Sequence, residues 1–242
     1  MPNTDCLTYL KAILSKDIEA ARYQAGKDQP ERPPIVITIS RDYGAGGELI
    51  GTELSHYLGI PLYDREILRL IAERSKTSEW HVEPHDEQVT SGLTSFIFST
   101  ITGTNAHAAL YRRYLYDVVS DLAKKDGILI GRGAHLVLRH QPIFRVRVIA
   151  SPETCAERIA EDEGVDIEAA TKRVKDINAK RHQSIQTLFS DIDKKCSLEN
   201  AHNFDLVINT DQIAPEDAVP LVLIGLRQAG FCIHENHAKT RA

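Results

Sequence analysis

The sequence predicts an α/β domain built on a mainly parallel sheet. Three observations carry that reading. Short apolar runs alternate with helically spaced runs through most of the 242 residues, the pattern of strand–helix–strand units with right-handed crossovers. The strand-like runs are apolar and β-branched without a polar face, as in IVITI at residues 35–39, which suits strands covered by helices on both sides. The first run leads through a glycine-rich turn straight into a helix, in ITISRDYGAGGELIG at residues 37–51. That is how a loop that holds an anion is built.

Leu7, Leu10, Ile13 and Leu14 have helical spacing and predict an N-terminal helix over residues 4–25, followed by the turn-rich linker GKDQPERPP. After the glycine turn, Leu49, Ile50, Leu54, Tyr57 and Leu58 mark one face of a helix. Gly59 is placed to cap it and Pro61 to stop it. A second short strand is expected at residues 60–64 and a helix at 65–74. Residues 75–107 contain polar clusters, Pro84, Gly92 and Gly103, and no element is read there. A helix follows at 109–125, then strands at 127–131 and 144–150. Ser151-Pro152-Glu153 opens the next helix with a capping hydroxyl, a proline in the first turn and an acid at the positive dipole end. A long charged helix spans 167–189, the fifth strand 204–209, and a closing helix starts near Pro215.

Composition narrows the partners. The formal net charge is -5 and no tail is strongly charged, which argues against duplex nucleic acid or an anionic membrane surface. No run approaches the roughly 18 apolar residues of a membrane helix. The first residues are acidic where an export signal is basic. Cys6, Cys155, Cys196 and Cys232 lie far apart and read as reduced thiols. The expectation is a cytoplasmic protein, with a homo-oligomer left open. His81 and His85 are four apart, but Pro84 between them prevents a regular helix from presenting both, so no metal site is expected.

Two ligand classes compete for the glycine loop, beside the plain reading of a tight turn. A dinucleotide site has strand, glycines and helix, with an acid about 20 residues on. Asp64 meets that spacing from Gly44. Yet Leu49 stands where glycine or alanine is needed, and Ser40-Arg41-Asp42-Tyr43 lengthens the loop. The longer frame is that of a phosphate loop, G-x-x-x-x-G-K-[ST]. Arg41 then stands at its first glycine, Gly46 at the second, Gly47 at the lysine and Glu48 at the hydroxyl residue. Gly44, Gly46 and Gly47 are expected to allow positive φ and the close approach of a phosphate.

The segments ISRDYGAGGELIG and LYDREIL together resemble the cytidylate kinase-like family, with its YGSGG-type loop and its Tyr-Asp-Arg-Glu after the second strand. IGRGA at residues 130–134, the Ser151-Pro152-Glu153 segment, Lys180-Arg181 and FDLVINT at 204–210 agree with it. The resemblance covers about residues 35–225 and implies a three-layer P-loop nucleoside-monophosphate kinase fold with a mainly parallel sheet, a helical insert and a helical lid. On that basis the expected organisation is an N-terminal helix and linker at 1–32 and a kinase-like core at 33–230. The core would hold an acceptor-binding insert near 75–110 and a lid near 158–190, with a tail at 231–242. The implied activity is ATP- and Mg²⁺-dependent phosphoryl transfer to a nucleotide, CMP or dCMP by default. True cytidylate kinases keep the loop lysine and hydroxyl, and an aspartate where this chain has Gly133. A non-catalytic nucleotide-sensing module is therefore carried as the alternative, and an NAD(P)-dependent oxidoreductase behind it.

The implied site takes Arg41, Tyr43, Gly44, Ala45, Gly46, Gly47 and Glu48 to the ATP phosphates, and Asp64, Arg65 and Arg132 to the acceptor. Arg41, Arg158, Arg173 and Arg181 would neutralise charge in the transition state. Ordinary roles stand beside these. Arg41 is equally read as pairing with Asp42 or Glu48. Glu48 suits the positive end of its helix as well as a Mg²⁺ ion. Asp64 suits the cap of the helix that starts at Arg65. Arg132 reads otherwise as a loop charge, and the charged face holding Arg173 as a solvated one.

Overall fold

The computed structural model describes residues 32–76, 105–190 and 196–233. The predicted N-terminal helix and residues 77–104 of the predicted insert lie outside them. The chain divides into two units, Met1–Pro33 and Pro34–Ala242, and every element below belongs to the second.

The sheet is parallel throughout, in the order β2-β3-β1-β4-β5. Its strands are β1 (Val36–Arg41), β2 (Leu62–Tyr63), β3 (Gly127–Ile130), β4 (Phe144–Ile149) and β5 (Leu206–Asn209). The helices are α1 (Gly47–Leu58), α2 (Arg65–Lys76), α3 (Asn105–Leu122), the single turn α4 (Ala134–Val137), α5 (Pro152–Glu163), α6 (Ile167–Phe189) and α7 (Pro215–Gln228). A 3₁₀ turn at Ala201–Asn203 precedes β5.

Side-chain alternation along the strands builds two hydrophobic layers. Ile37 and Ile39 of β1, Ile128 and Ile130 of β3, and Val146 and Val148 of β4 pack against α1, α5 and α7. Val36 and Leu129 point the other way, against α2, α3 and α4. β1 is central and buried from Val36 to Ser40, as IVITI predicts. The second face becomes polar toward the carboxyl ends of the strands. Thr38, Ser40 and Arg147 are buried there with His135, and Ser40 and Arg147 are register partners of β1 and β4.

The caps follow the sequence. Gly59 closes α1 with φ 65°. Ser151 Oγ accepts from the Thr154 N–H, with Pro152 in the first turn of α5. Four strands are shorter than expected, because β2, β3, β4 and β5 pair only where neighbouring backbone lies alongside. One expectation about the glycines is corrected. Gly44 and Gly46 have φ 85° and 81°, whereas Gly47 is already helical, so its missing side chain has another cause.

Among the described residues no helix is long and apolar enough to cross a membrane. No group of three or more His, Cys, Asp or Glu there is arranged to hold a metal ion.

Candidate active site

The glycine loop lies between β1 and α1 at the carboxyl edge of the sheet. The chain leaves central β1 for β2 and β3 on one side and later returns to β4 on the other. Ligands bind at such a switch point in open α/β sheets. α1 begins at Gly46 without any side-chain cap, so the first N–H groups of the helix remain to be met by a ligand or solvent. The carbonyls of the loop are already engaged. Arg158 Nη1 donates to Gly44 O at 3.4 Å and Thr210 Oγ1 donates to Ala45 O at 2.9 Å. The same Arg158 holds Thr210 through its hydroxyl at 2.9 Å and its carbonyl at 2.6 Å. Loop carbonyls are thus tied to the protein, while the helix start stays open.

Arg41 explains Gly47. A Cβ built on Gly47 would meet Arg41 Cβ at 2.6 Å, and one built on Gly131 would meet Arg41 Nη1. The stem of Arg41 therefore crosses the position where a phosphate loop has its lysine. Its side chain is 11% exposed, and Nε donates to Glu48 Oε1 at 2.7 Å while Nη2 lies 3.8 Å from Asp64 Oδ1. Of the two ordinary partners considered for Arg41, Glu48 is the one it takes. Asp42 turns away to buried Arg147, whose Nη2 donates to it at 2.5 Å.

A second guanidinium reaches the loop from α6. Arg181 Nη1 donates to Arg41 O at 3.0 Å, Nη2 lies 3.7 Å from Glu48 Oε1, and the group sits 5.7 Å over the Tyr43 ring. Burial, with the nearby Arg41 charge, lowers its pKa to about 10, so it is a cation at neutral pH. Arg132 follows β3 with φ 55°, the one non-glycine at positive φ among the described residues. Such backbone is uncommon away from glycine and marks functional or constrained positions. Arg132 has no hydrogen bond or ion pair among the described residues, and its charge acts on both Arg181 and the buried Tyr111 hydroxyl.

Asp64 follows β2 and faces Arg41, and Arg65 is exposed on the first turn of α2. Arg173 is half exposed on α6 and pairs with Glu163. Arg158 directs both of its terminal nitrogens to the loop and Thr210.

Several residues at the site were not singled out from sequence. Asn178 Oδ1 accepts the Tyr43 N–H at 2.8 Å, and Tyr43 Oη donates to Glu163 at 2.5 Å. A usable signal for Asn178 existed. Ala170, Val174, Ile185 and Phe189 form the buried stripe of α6, and Asn178 and Arg181 continue it at helical spacing. Polar residues on an apolar stripe are aimed at something inside. Beneath the loop, Ser40 Oγ and His135 Nδ1 share a hydrogen bond at 3.0 Å, and His135 stacks on Phe204. Burial, together with the charges of Arg147 and Arg145, drives the His135 pKa down to about 3, so this imidazole is neutral.

The sheet order separates the two nucleotide folds. A dinucleotide-binding sheet places its second strand beside the first, in the order 3-2-1-4-5-6, whereas here β3 lies between β2 and β1. Solved structures resemble the chain at low identity. An uncharacterised protein from Eubacterium ventriosum ATCC 27560 superposes with TM-score 0.58 at 18% identity, covering 80% of this chain and 98% of that one. A shikimate kinase from Bacteroides thetaiotaomicron gives 0.48 at 15% identity, with 80% and 98% covered. A gluconokinase from Sinorhizobium meliloti 1021 gives 0.40 at 15% identity, with 82% and 94% covered. No curated protein matches the chain. The match that spans the whole site, from β1 and the glycine loop to the turn after β5, is to a family: residues 36–212 match the cytidylate kinase-like family, and the chain belongs to it.

Proposed function

We propose that the protein is an ATP-dependent phosphotransferase of the nucleoside-monophosphate kinase type, with CMP or dCMP as acceptor. The observation that carries the reading is the convergence of Arg41 and Arg181 on an uncapped helix start behind a glycine loop, with the Arg132 charge acting on Arg181. Phosphoryl transfer depends mainly on positioning and on neutralising charge on the transferred group. The loop fits ATP phosphates. Gly44 and Gly46 lie at positive φ, and the helix start and the Arg41–Arg181 pair supply N–H donors and cations. ATP supplies the phosphoryl group, and Mg²⁺ would come with it, held largely by phosphate and water oxygens.

Arg41 takes over the role of the missing lysine, since its stem crosses Gly47 and its guanidinium reaches Gly131. Arg181 adds a second charge from α6. Asp64, Arg65 and Arg132 face the acceptor across the ends of β2 and β3. Arg158, with Thr210, keeps the loop carbonyls engaged, and Arg173 acts on Glu163 and, through it, on Tyr43. The non-catalytic sensing module remains the second reading, favoured by one observation: Glu48 stands where a Mg²⁺-binding hydroxyl would, and its carboxylate is engaged with Arg41. An assay of ADP release with ATP, Mg²⁺ and a panel of nucleoside monophosphates separates the two. Highest turnover with CMP and dCMP is expected. Nucleotide binding without ADP release for any acceptor would select the sensing module.

A further inference from the structure

The glycine loop contains an anion of its own. Glu48 Oε1 accepts from Arg41 Nε at 2.7 Å and lies 3.7 Å from Arg181 Nη2, so one carboxylate oxygen faces two guanidinium groups. The three side chains are unequally held. Arg41 is wedged against Gly47 and Gly131, and Arg181 is bound to the Arg41 carbonyl over the Tyr43 ring. The arginine side chains are 11% and 24% exposed, that of Glu48 is 46% exposed, and these arginines are its only side-chain partners among the described residues.

Two neighbouring guanidinium groups partly out of water require a counter-charge, and the free energy of leaving them without one is large. The exposed carboxylate is the member that can leave. Swung toward solvent, Glu48 still sits in the first turn of α1, where the helix dipole favours a negative charge. We infer that Glu48 is a resident anion: its carboxylate takes the place of a ligand phosphate between Arg41 and Arg181, and every phosphate-bearing ligand must displace it. The inference rests on reading the loop as a phosphate site. It makes Glu48 a residue that sets the affinity threshold of the site rather than one that adds to binding.

Calorimetric titration of the full chain with sodium pyrophosphate, without metal, tests this independently of turnover. Glu48→Gln should bind pyrophosphate about tenfold more tightly than wild type, the scale of removing one charge-assisted hydrogen bond that competes with the ligand. Glu48→Asp keeps the charge on the helix but shortens its reach, and should tighten binding about threefold. Glu53→Gln, on an exposed carboxylate of the same helix, should stay within about twofold, the size of a screened long-range field. Melting curves establish that each variant is folded, and should Glu48→Gln fail to fold, Glu48→Asp carries the comparison. Unchanged or weaker pyrophosphate binding in the Glu48 variants, with wild type binding normally, overturns the inference and leaves the phosphate loop standing. Absence of pyrophosphate binding in wild type and all variants overturns the phosphate loop, and the inference with it.

Discussion

On the proposed reading, Arg41 is the residue on which the chemistry turns. A phosphate loop that lacks its lysine needs another cation close to the glycines, and between Pro33 and Leu62 Arg41 is the only Lys or Arg. Arg41→Ala should lower turnover on the order of 10³-fold, the scale of losing a charge-stabilising arginine in phosphoryl transfer. Arg41→Lys should recover part of that, because lysine keeps the charge and loses the planar fork. Steady-state kinetics at saturating ATP reads both. The neighbouring glycine gives a second test. Gly47→Ala puts a methyl 2.6 Å from Arg41 Cβ, a clash near the backbone that flexible side-chain ends cannot relieve. It should cost about 1–3 kcal/mol, as overpacking does, read as a lower midpoint in urea unfolding. The identity of Arg41 as a cation near the loop was legible in the sequence. Its course over Gly47 and Gly131 was not, because Gly131 is ninety residues away in the chain and only the β1–β3 pairing brings it alongside.

At the scale of the element, α6 divides its charges between two faces. Arg181 continues the buried stripe and meets the loop, whereas Arg173 is turned outward and held by Glu163. Arg181→Ala should therefore lower turnover on the order of 10²-fold or more, and Arg173→Ala by no more than about fivefold, since an exposed ion pair is worth little. Side-by-side kinetics of the two variants checks the assignment, and equal losses would count against it. The helix itself was readable from spacing, from the Asp166 start that caps the Ala169 N–H at 2.8 Å to the last apolar turn. Which of its cations point inward was readable too, had the stripe been extended through Asn178. The partner of Asn178 was not, because a backbone N–H in a loop 135 residues distant leaves no mark on local composition.

For the whole molecule, the buried polar layer under the loop couples stability to pH. The His135 pKa is drawn down to about 3, mainly by burial, while in the unfolded chain it lies near 6.5. The unfolded state therefore binds the extra proton between those values. The stability contributed by neutral His135 is full above about pH 6.5 and falls as pH drops, by up to about 1.4 kcal/mol per unit. Urea unfolding at about pH 7 and about pH 5.5 should show a loss of about 1 kcal/mol from this group. His135→Gln should be less stable at the higher pH but show a shallower pH dependence over that window.

Taken alone, the chain sufficed for the class of fold, for the glycine loop and its missing lysine, and for the helix starts at Ser151 and caps such as Gly59. Each of these is a local matter: strand periodicity, turn chemistry and capping act over a few neighbouring residues, so they leave a readable pattern. The order of the strands, the course of Arg41 beside Gly131, the bracing of the loop by Arg158 and Thr210, and the burial of Ser40, His135 and Arg147 arose only when the sheet assembled. Those are contacts between residues far apart in sequence. Side chains of the same type, such as Arg41, Arg147, Arg158 and Arg173, look alike in one dimension, and only their distance to a partner and their depth from water separate a phosphate-facing cation from a strut.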